Sequence, residues 1–321
     1  MELPKTRHRD LRMPEQRPKI LITTPTLGFL EGALSASYET LRLWEMADSA
    51  TLSGVRVLTC LGHEILAPVL ERVPDLKLVA CYTTGYDGID VQRCRNRGIA
   101  ITHAPRATAH AVAEYALALI LASFRNVVSG SQVVLAGQWG PGKVLMGRSL
   151  KGARLGIVGL GDIGRTLAQL AEALGMQVQW WGPRTKSNVL WPRAATLIDL
   201  ARCSDVLAVC AKADGSNRHL ISAEVFAAMT PTSIFVNVAR GQLVDEEALI
   251  RVLRAGRLGG AALDVFETEP TPADRWKGVP NVIVTPHIAG ATHQSVATMS
   301  SLLLENLKRF FSGAPLATPI P

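Results

Sequence analysis

Three ionisable residues in the second half of the chain each stand just past a short apolar run. Arg240 follows IFVNVA, Glu269 lies in DVFETEP after GAALD, and His287 follows NVIVTP. A guanidinium can give two parallel hydrogen bonds to a carboxylate or a polarised carbonyl. A protonated imidazole can deliver a proton to an oxygen on which charge develops, and take it back in the reverse direction. A carboxylate beside it orients the ring and stabilises its charged form. Together the three suit an anionic carbonyl compound or the corresponding alcohol. Singly, each is as easily a surface arginine, a turn acid or a loop histidine. Histidines at positions 8, 63, 103, 110, 219 and 293 show how little one such residue says. The argument is that all three follow separate strands. No GxSxG elbow is present, so a Ser-His-Asp hydrolase fits less well.

The hydride or electrons for such chemistry must come from elsewhere, and Gly159-Leu160-Gly161-Asp162-Ile163-Gly164 has the spacing of a phosphate cradle. By itself GxGxxG is a weak signal. Here it follows the strand-like run 154–158 and opens a helical run at 163–174, the context the physics needs. The first glycine permits a tight turn, the second admits a pyrophosphate to the backbone, and the third lets helix and strand pack closely. The helix N-terminus attracts the negative charge. The bland alternative is an ordinary tight turn between strand and helix.

An NAD site usually carries an acid about 20 residues on, to hold the ribose hydroxyls. That position here is Gly182, followed by Arg184, Thr185 and Lys186, with no carboxylate nearby. An acid would repel a 2'-phosphate, and a guanidinium can bind one bidentately. The preferred cofactor is therefore expected to be NADP(H), with NAD(H) possible; solvated loop charges are the duller account of Arg184 and Lys186.

The elements that must position these groups form an alternating pattern. Strand-like runs at 19–23, 55–59 and 76–81, with a helical stretch HEILAPVLERVP between the last two, make one α/β segment. A long apolar helix spans 109–124. Strands are then expected at 154–158, 177–181, 205–210, 234–238, 260–264 and 282–285, with helices such as 246–253 between several of them and a final amphipathic helix at 295–311. Apolar strands alternating with helices imply parallel sheets covered on both faces. Ligands in such sheets collect beyond the carboxyl ends of the strands, where Arg240, Glu269 and His287 stand. The final helix can return to the first segment, making that domain discontinuous.

The chain has 321 residues, 48% of them hydrophobic and 19% charged, enough for about two cored domains and against extensive disorder. Residues 1–18 read as a polar, basic, flexible leader. The net charge is +7 with a pI near 9.4, which suits anionic ligands. The basic residues form no dense stripe beyond the leader, so no nucleic-acid partner is expected. Five widely spaced cysteines fit a reducing compartment, and no basic-then-apolar segment opens the chain. A cytoplasmic protein with no membrane partner is the expectation.

At these residues the chain resembles the D-isomer-specific 2-hydroxyacid dehydrogenases, in particular the glyoxylate/hydroxypyruvate and hydroxyphenylpyruvate reductase branch. The matching stretches are GYDGIDV from Gly85, AVAEYALALILA from Ala111, GLGDIGRTLA from Gly159, NVARG from Asn237, ALDVFETEP from Ala262 and TPHIAGAT from Thr285. In order they are far more specific than the glycine loop alone. The resemblance implies an NADPH-dependent reduction of a small 2-oxo acid to the D-2-hydroxy acid, with Arg240, Glu269 and His287 as the catalytic set. It also implies a flavodoxin-like substrate domain from 19–102 plus 291–321 and a doubly wound NAD(P)-binding domain from 103–290.

By the same resemblance Asp264 holds the nicotinamide carboxamide, and Cys210 and Ala239 lie in the cofactor pocket. The backbone at Thr84 and Gly85 helps hold the substrate carboxylate, Glu114 sits in the interdomain helix, and a homodimer places Trp139 near a partner's site. An ordinary interface or core aromatic is nearly as good a reading of Trp139. Three positions depart from the family pattern: HxP offsets give Cys210 and Lys212, and His103 stands where asparagine is common. Alternatives are an NAD-preferring relative of the phosphoglycerate or D-lactate type, and a non-catalytic NAD(P)-sensing corepressor on the same fold. No metal is expected.

Overall fold

A computed structural model describes residues 17–142 and 145–320. The leader expected at 1–18 lies almost wholly outside the described residues. The contacts divide the chain into two units. One runs to Pro105 and resumes at Thr298; the other is Arg106–Ala297. The sequence reading drew these boundaries at 102/103 and 290/291. The helix His293–Ser312 begins in one unit and ends in the other.

The first unit holds a five-stranded parallel sheet. Its strands are β1 (Lys19–Ile22), β2 (Glu39–Arg42), β3 (Val55–Cys60), β4 (Leu78–Cys81) and β5 (Ala100–Thr102), in the order β2-β1-β3-β4-β5. β3 and β4 are inner strands: β4 is a continuous apolar run and β3 is buried except at Arg56, because both sheet faces are covered. The edge strand β2 is Glu-Thr-Leu-Arg and half-exposed, and β5 has three residues; neither carries a legible apolar pattern. The helix read from HEILAPVLERVP is shorter than its spacing implied. It begins at Ala67 and ends at Arg72, because Pro68 has no N–H to give and fits only the first turn.

The second unit holds β6 (Arg154–Val158), β7 (Gln177–Trp181), β8 (Val206–Val209), β9 (Ile234–Asn237), β10 (Gly260–Leu263) and β11 (Val282–Val284). They form one parallel sheet in the order β11-β10-β9-β8-β6-β7. On one face the helix Ala109–Phe124 packs against the helix Asp162–Ala173. Ala113 and Ala116 are buried at no steric cost in that layer, beside Leu167, Ala168 and Ala171. The other face is closed by Leu200, Phe226, Phe235, Leu249 and Leu253. Val127–Leu135, a loose stretch by sequence, is a helix, although none of its residues is buried and its valines favour strands.

The register of this sheet does the positioning. Val158 pairs with Val209, Val209 with Asn237, Asn237 with Leu263, and Leu263 with Val284. These five residues form one row across the sheet at its carboxyl edge. The loops that follow start from a common line: Gly159, Cys210, Val238, Asp264 and Thr285. Strand order reverses between β6 and β8, the crevice where ligands settle in such sheets.

Candidate active site

The loop after β6 is built to receive a pyrophosphate. Gly159 has φ +91°, and a Cβ there would lie 2.5 Å from the Cα of Ala211 after β8. A Cβ at Gly164 would meet the Gly159 carbonyl at 2.3 Å, so helix and strand touch only because it is glycine. At Gly161 a Cβ would meet nothing within 4 Å, so this is the open side of the cradle. Gly161 is also the N-cap of the helix Asp162–Ala173, and no side chain caps it. The first-turn N–H groups, including those of Asp162 and Ile163, are thus left for an anion. The residues present fit a dinucleotide.

Gly182, just past β7, is buried, and its carbonyl accepts two hydrogen bonds from Arg193, Nε at 3.2 Å and Nη2 at 2.7 Å. Arg184, Thr185 and Lys186 follow, all exposed. Sequence reasoning missed Arg193, whose link to Gly182 runs through a β-bridge between Trp180 and Arg193 that no local pattern announces. Cys210 is buried beyond β8, and burial pushes its thiol up to about 12, which makes it an inert apolar filler at this edge. Lys212 is exposed.

The three ionisable residues are brought together in this unit. Glu269 Oε2 accepts a hydrogen bond from His287 Nδ1 at 2.6 Å, and Glu269 Oε1 accepts one from the Phe266 N–H at 2.9 Å. A carboxylate on Nδ1 fixes the tautomer and leaves Nε2 for proton transfer. Partial desolvation pushes the Glu269 carboxyl up. The His287 hydrogen bond, the Phe266 N–H and the charges of His287 and Arg240 together outweigh that and hold it below its ordinary 4.5. Arg240 therefore stands within electrostatic reach of the pair. Its Nη1 donates to the Ala239 carbonyl at 2.7 Å, and the Asn237 side chain spans the turn, donating to the Arg240 carbonyl and accepting from the Ala239 N–H.

His287 has φ +53°, an unusual conformation for a side chain of that size. Asp264 holds it there. Fully buried, its Oδ1 accepts the Thr285 hydroxyl at 2.6 Å and the Ile288 N–H at 3.0 Å, and its Oδ2 accepts the Ala289 N–H at 2.8 Å. The structure thus gives Asp264 a bracing role that sequence reasoning did not assign.

The remaining residues singled out by sequence have the following local surroundings. In the other unit, Thr84 donates its hydroxyl to the Ala104 carbonyl at 2.7 Å, and its own carbonyl lies 2.9 Å from His103 Nδ1. The Gly85 carbonyl accepts the Thr83 hydroxyl at 2.9 Å. The departure at His103 therefore bears on the Thr84 loop, whose carbonyl it reaches. Glu114 pairs with His110 at 3.2 Å on an exposed helix face. Trp139 is 76% exposed, in a stretch where Val134, Leu135, Leu145 and Met146 are exposed too, so it is not a core aromatic. Among the described residues no group of acids, histidines and cysteines is arranged to hold a metal, and no single helix is long and apolar enough to cross a membrane.

A six-stranded doubly wound sheet, a glycine cradle and an Arg-Glu-His set at one carboxyl edge define an NAD(P)-dependent oxidoreductase, with a separate α/β unit of the substrate-binding kind. The chain belongs to the D-isomer-specific 2-hydroxyacid dehydrogenases: residues 117–289 match the model of that family's NAD binding domain. It is 33% identical to a glyoxylate/hydroxypyruvate reductase A of Arabidopsis thaliana, over 94% of this chain and 98% of that one. It is 42% identical to an (S)-sulfolactate dehydrogenase of Chromohalobacter salexigens, over 80% of this chain and 85% of the relative. Among solved structures, it resembles the NADPH-dependent glyoxylate/hydroxypyruvate reductase of Sinorhizobium meliloti in complex with NADP and malonate. The TM-score is 0.88 at 32% identity, covering 95% of this chain and 97% of that one. The reaction class is NAD(P)H-dependent reduction of a small 2-oxo acid to its D-hydroxy acid.

Proposed function

We propose that the protein is an NADPH-preferring reductase of a small 2-oxo acid of the glyoxylate/hydroxypyruvate or hydroxyphenylpyruvate type. The observation that carries the catalytic part is the 2.6 Å contact between His287 and Glu269 beside Arg240. Arg240 hydrogen-bonds the carboxylate or carbonyl of the oxo acid. His287 delivers the Nε2 proton to the carbonyl oxygen, and Glu269 stabilises the imidazolium before transfer and recovers its orientation after it. The bound nicotinamide supplies the hydride. Reduction requires the protonated ring, and oxidation of the hydroxy acid requires the neutral one.

Asp264, to which the family resemblance assigns the carboxamide, keeps one of its roughly four lone-pair positions after accepting three hydrogen bonds. The NADP preference is supported by Gly182 where an acid would stand and by Arg184, Thr185 and Lys186 in solvent beside it. Thr84 and Gly85 are the proposed contacts for the substrate carboxylate. The exposed apolar set around Val134, Leu135 and Trp139 supports a homodimer.

Initial rates with NADPH and NADH test this, using glyoxylate, hydroxypyruvate, hydroxyphenylpyruvate, pyruvate and, because of the sulfolactate relative, 3-sulfopyruvate. Preference for NADPH with one of the first three bears the proposal out. Preference for NADH overturns the cofactor assignment, and turnover of 3-sulfopyruvate alone overturns the substrate assignment.

A further inference from the structure

Beyond the three reacting side chains, the second unit gathers a set of charges directly behind Glu269. Glu246 lies in the first turn of the helix Glu246–Arg254, with its side chain 3% exposed. Its two oxygens are used separately: Oε1 accepts the Glu267 N–H at 2.7 Å, and Oε2 accepts Arg275 Nε at 2.6 Å. Arg275 also reaches Glu247 at 2.9 Å. The Glu267 carboxylate in turn pairs with Arg218 at 2.9 Å and with His219 at 2.5 Å.

The geometry of two consecutive N–H groups gives this set a role. The Phe266 N–H goes to Glu269, and the Glu267 N–H goes to Glu246. The two donors flank one α-carbon, that of Phe266, so the carboxylate of Glu246 fixes the peptide whose neighbour orients Glu269. The backbone of Gly241 packs against the same peptide; a Cβ there would lie 1.8 Å from the Phe266 carbonyl carbon. The peptide after Phe266 thus has an acceptor for its N–H and a backbone packed against it.

We propose that Glu246, clamped by Arg275, is a positioning residue that sets the orientation of Glu269 and through it the His287 ring. This rests on the reading of Glu269 and His287 as the reacting pair. A buried ion pair contributes little stability by itself once desolvation is counted, whereas fixing a unique geometry is a role such groups do fill. Displacement of a reacting group by about 1 Å costs on the order of 10²-fold in rate.

The test compares Glu246→Ala, Glu246→Gln, Arg275→Met and Glu269→Gln in steady-state kinetics across pH, with nucleotide binding by fluorescence and thermal unfolding as controls. Glu246→Ala is expected to lose roughly ten- to hundredfold in kcat with KM for the oxo acid and the nucleotide little changed. The groups that face Glu269 are His287, Arg240 and the Phe266 N–H. Loss of the last makes ionisation of Glu269 harder, so the acid limb of kcat/KM moves to higher pH. Glu246→Gln keeps an acceptor for the Glu267 N–H but turns an NH2 toward Arg275, and is expected to lose less in kcat than Glu246→Ala. If Glu246→Ala yields no folded protein, Arg275→Met decides: a lower kcat with a shifted acid limb supports the role. An unchanged pH profile in the folded variants, or a Glu246→Gln as impaired as Glu246→Ala, overturns it. Glu269→Gln with wild-type kcat would instead overturn the reading of the reacting pair.

Discussion

Two loop systems on the same carboxyl edge of the second sheet are built in opposite ways. The loops carrying Arg240, Glu269 and His287 are braced from within: Asp264 takes three donors, Asn237 spans the Arg240 turn, and Glu246 holds the Glu267 amide. The loop after β7 is tied back at its two ends, by Arg193 on the Gly182 carbonyl and by the Trp180 indole on the Trp191 carbonyl, and from Arg184 to Lys186 its side chains stand in solvent. Chemistry needs atoms held to fractions of an ångström, so those side chains are surrounded by a second layer of hydrogen bonds. Choosing between two nucleotides that differ by one phosphate needs only the sign of a charge at the right place. That tolerates an exposed, loosely held loop.

The contrast breaks most sharply at His287. Replacing it by asparagine removes the proton donor while leaving the brace from Asp264, and kcat is expected to fall on the order of 10²- to 10⁴-fold with nucleotide affinity retained. A fall below fivefold in steady-state rates would mean the proton comes from elsewhere.

A smaller effect sharpens the electrostatic half of the comparison. Because Glu269 ionises below its ordinary 4.5, the contribution of its charged form is intact above that value and disappears as pH falls through the lowered one. In a pH profile of kcat/KM, the acid limb due to Glu269 is therefore expected below 4.5. A limb above it would show that burial, which opposes ionisation, prevails in solution.

The smallest effect is at the exposed loop. Gly182→Asp places a carboxylate where a 2'-phosphate would be repelled and ribose hydroxyls accepted. Its Cβ would sit 3.3 Å from the Trp180 ring edge, a contact a small ring movement relieves. The ratio of kcat/KM for NADPH over NADH is expected to drop about tenfold, the equivalent of roughly 1.4 kcal/mol. A ratio unmoved by the added charge would place nucleotide selection away from this loop.

The same contrast explains what could be read from the sequence. The strands of the second sheet, the glycine cradle and the three ionisable residues were legible because each is marked locally, by an apolar run or by a residue at its end. Gly182 was legible as an absence at a fixed spacing. The bracing groups were not. Glu246 belongs to Asp-Glu-Glu at a helix start, where acids are ordinary partners of the helix dipole, and nothing local tells a buried one from its exposed neighbour Glu247. Arg193, Arg275 and His219 act on residues 11, 29 and 48 positions away. Edge strand β2 and the exposed helix Val127–Leu135 were missed for the complementary reason: neither has the buried face from which periodicity arises.

Gly241 gives the molecule an asymmetry that would surface in a saturation mutagenesis screen. The residue has no functional group and touches no proton, yet any side chain there must enter the backbone at Phe266 and push apart the turns that carry Arg240 and Glu269. Variants at this codon would score like variants of the catalytic residues themselves, with every reacting side chain still encoded. Insertions between Arg184 and Lys186, whose side chains stand in solvent, would pass almost silently in folding. The tolerance map of the gene thus follows the spacing between two backbones more closely than it follows the list of groups that do chemistry.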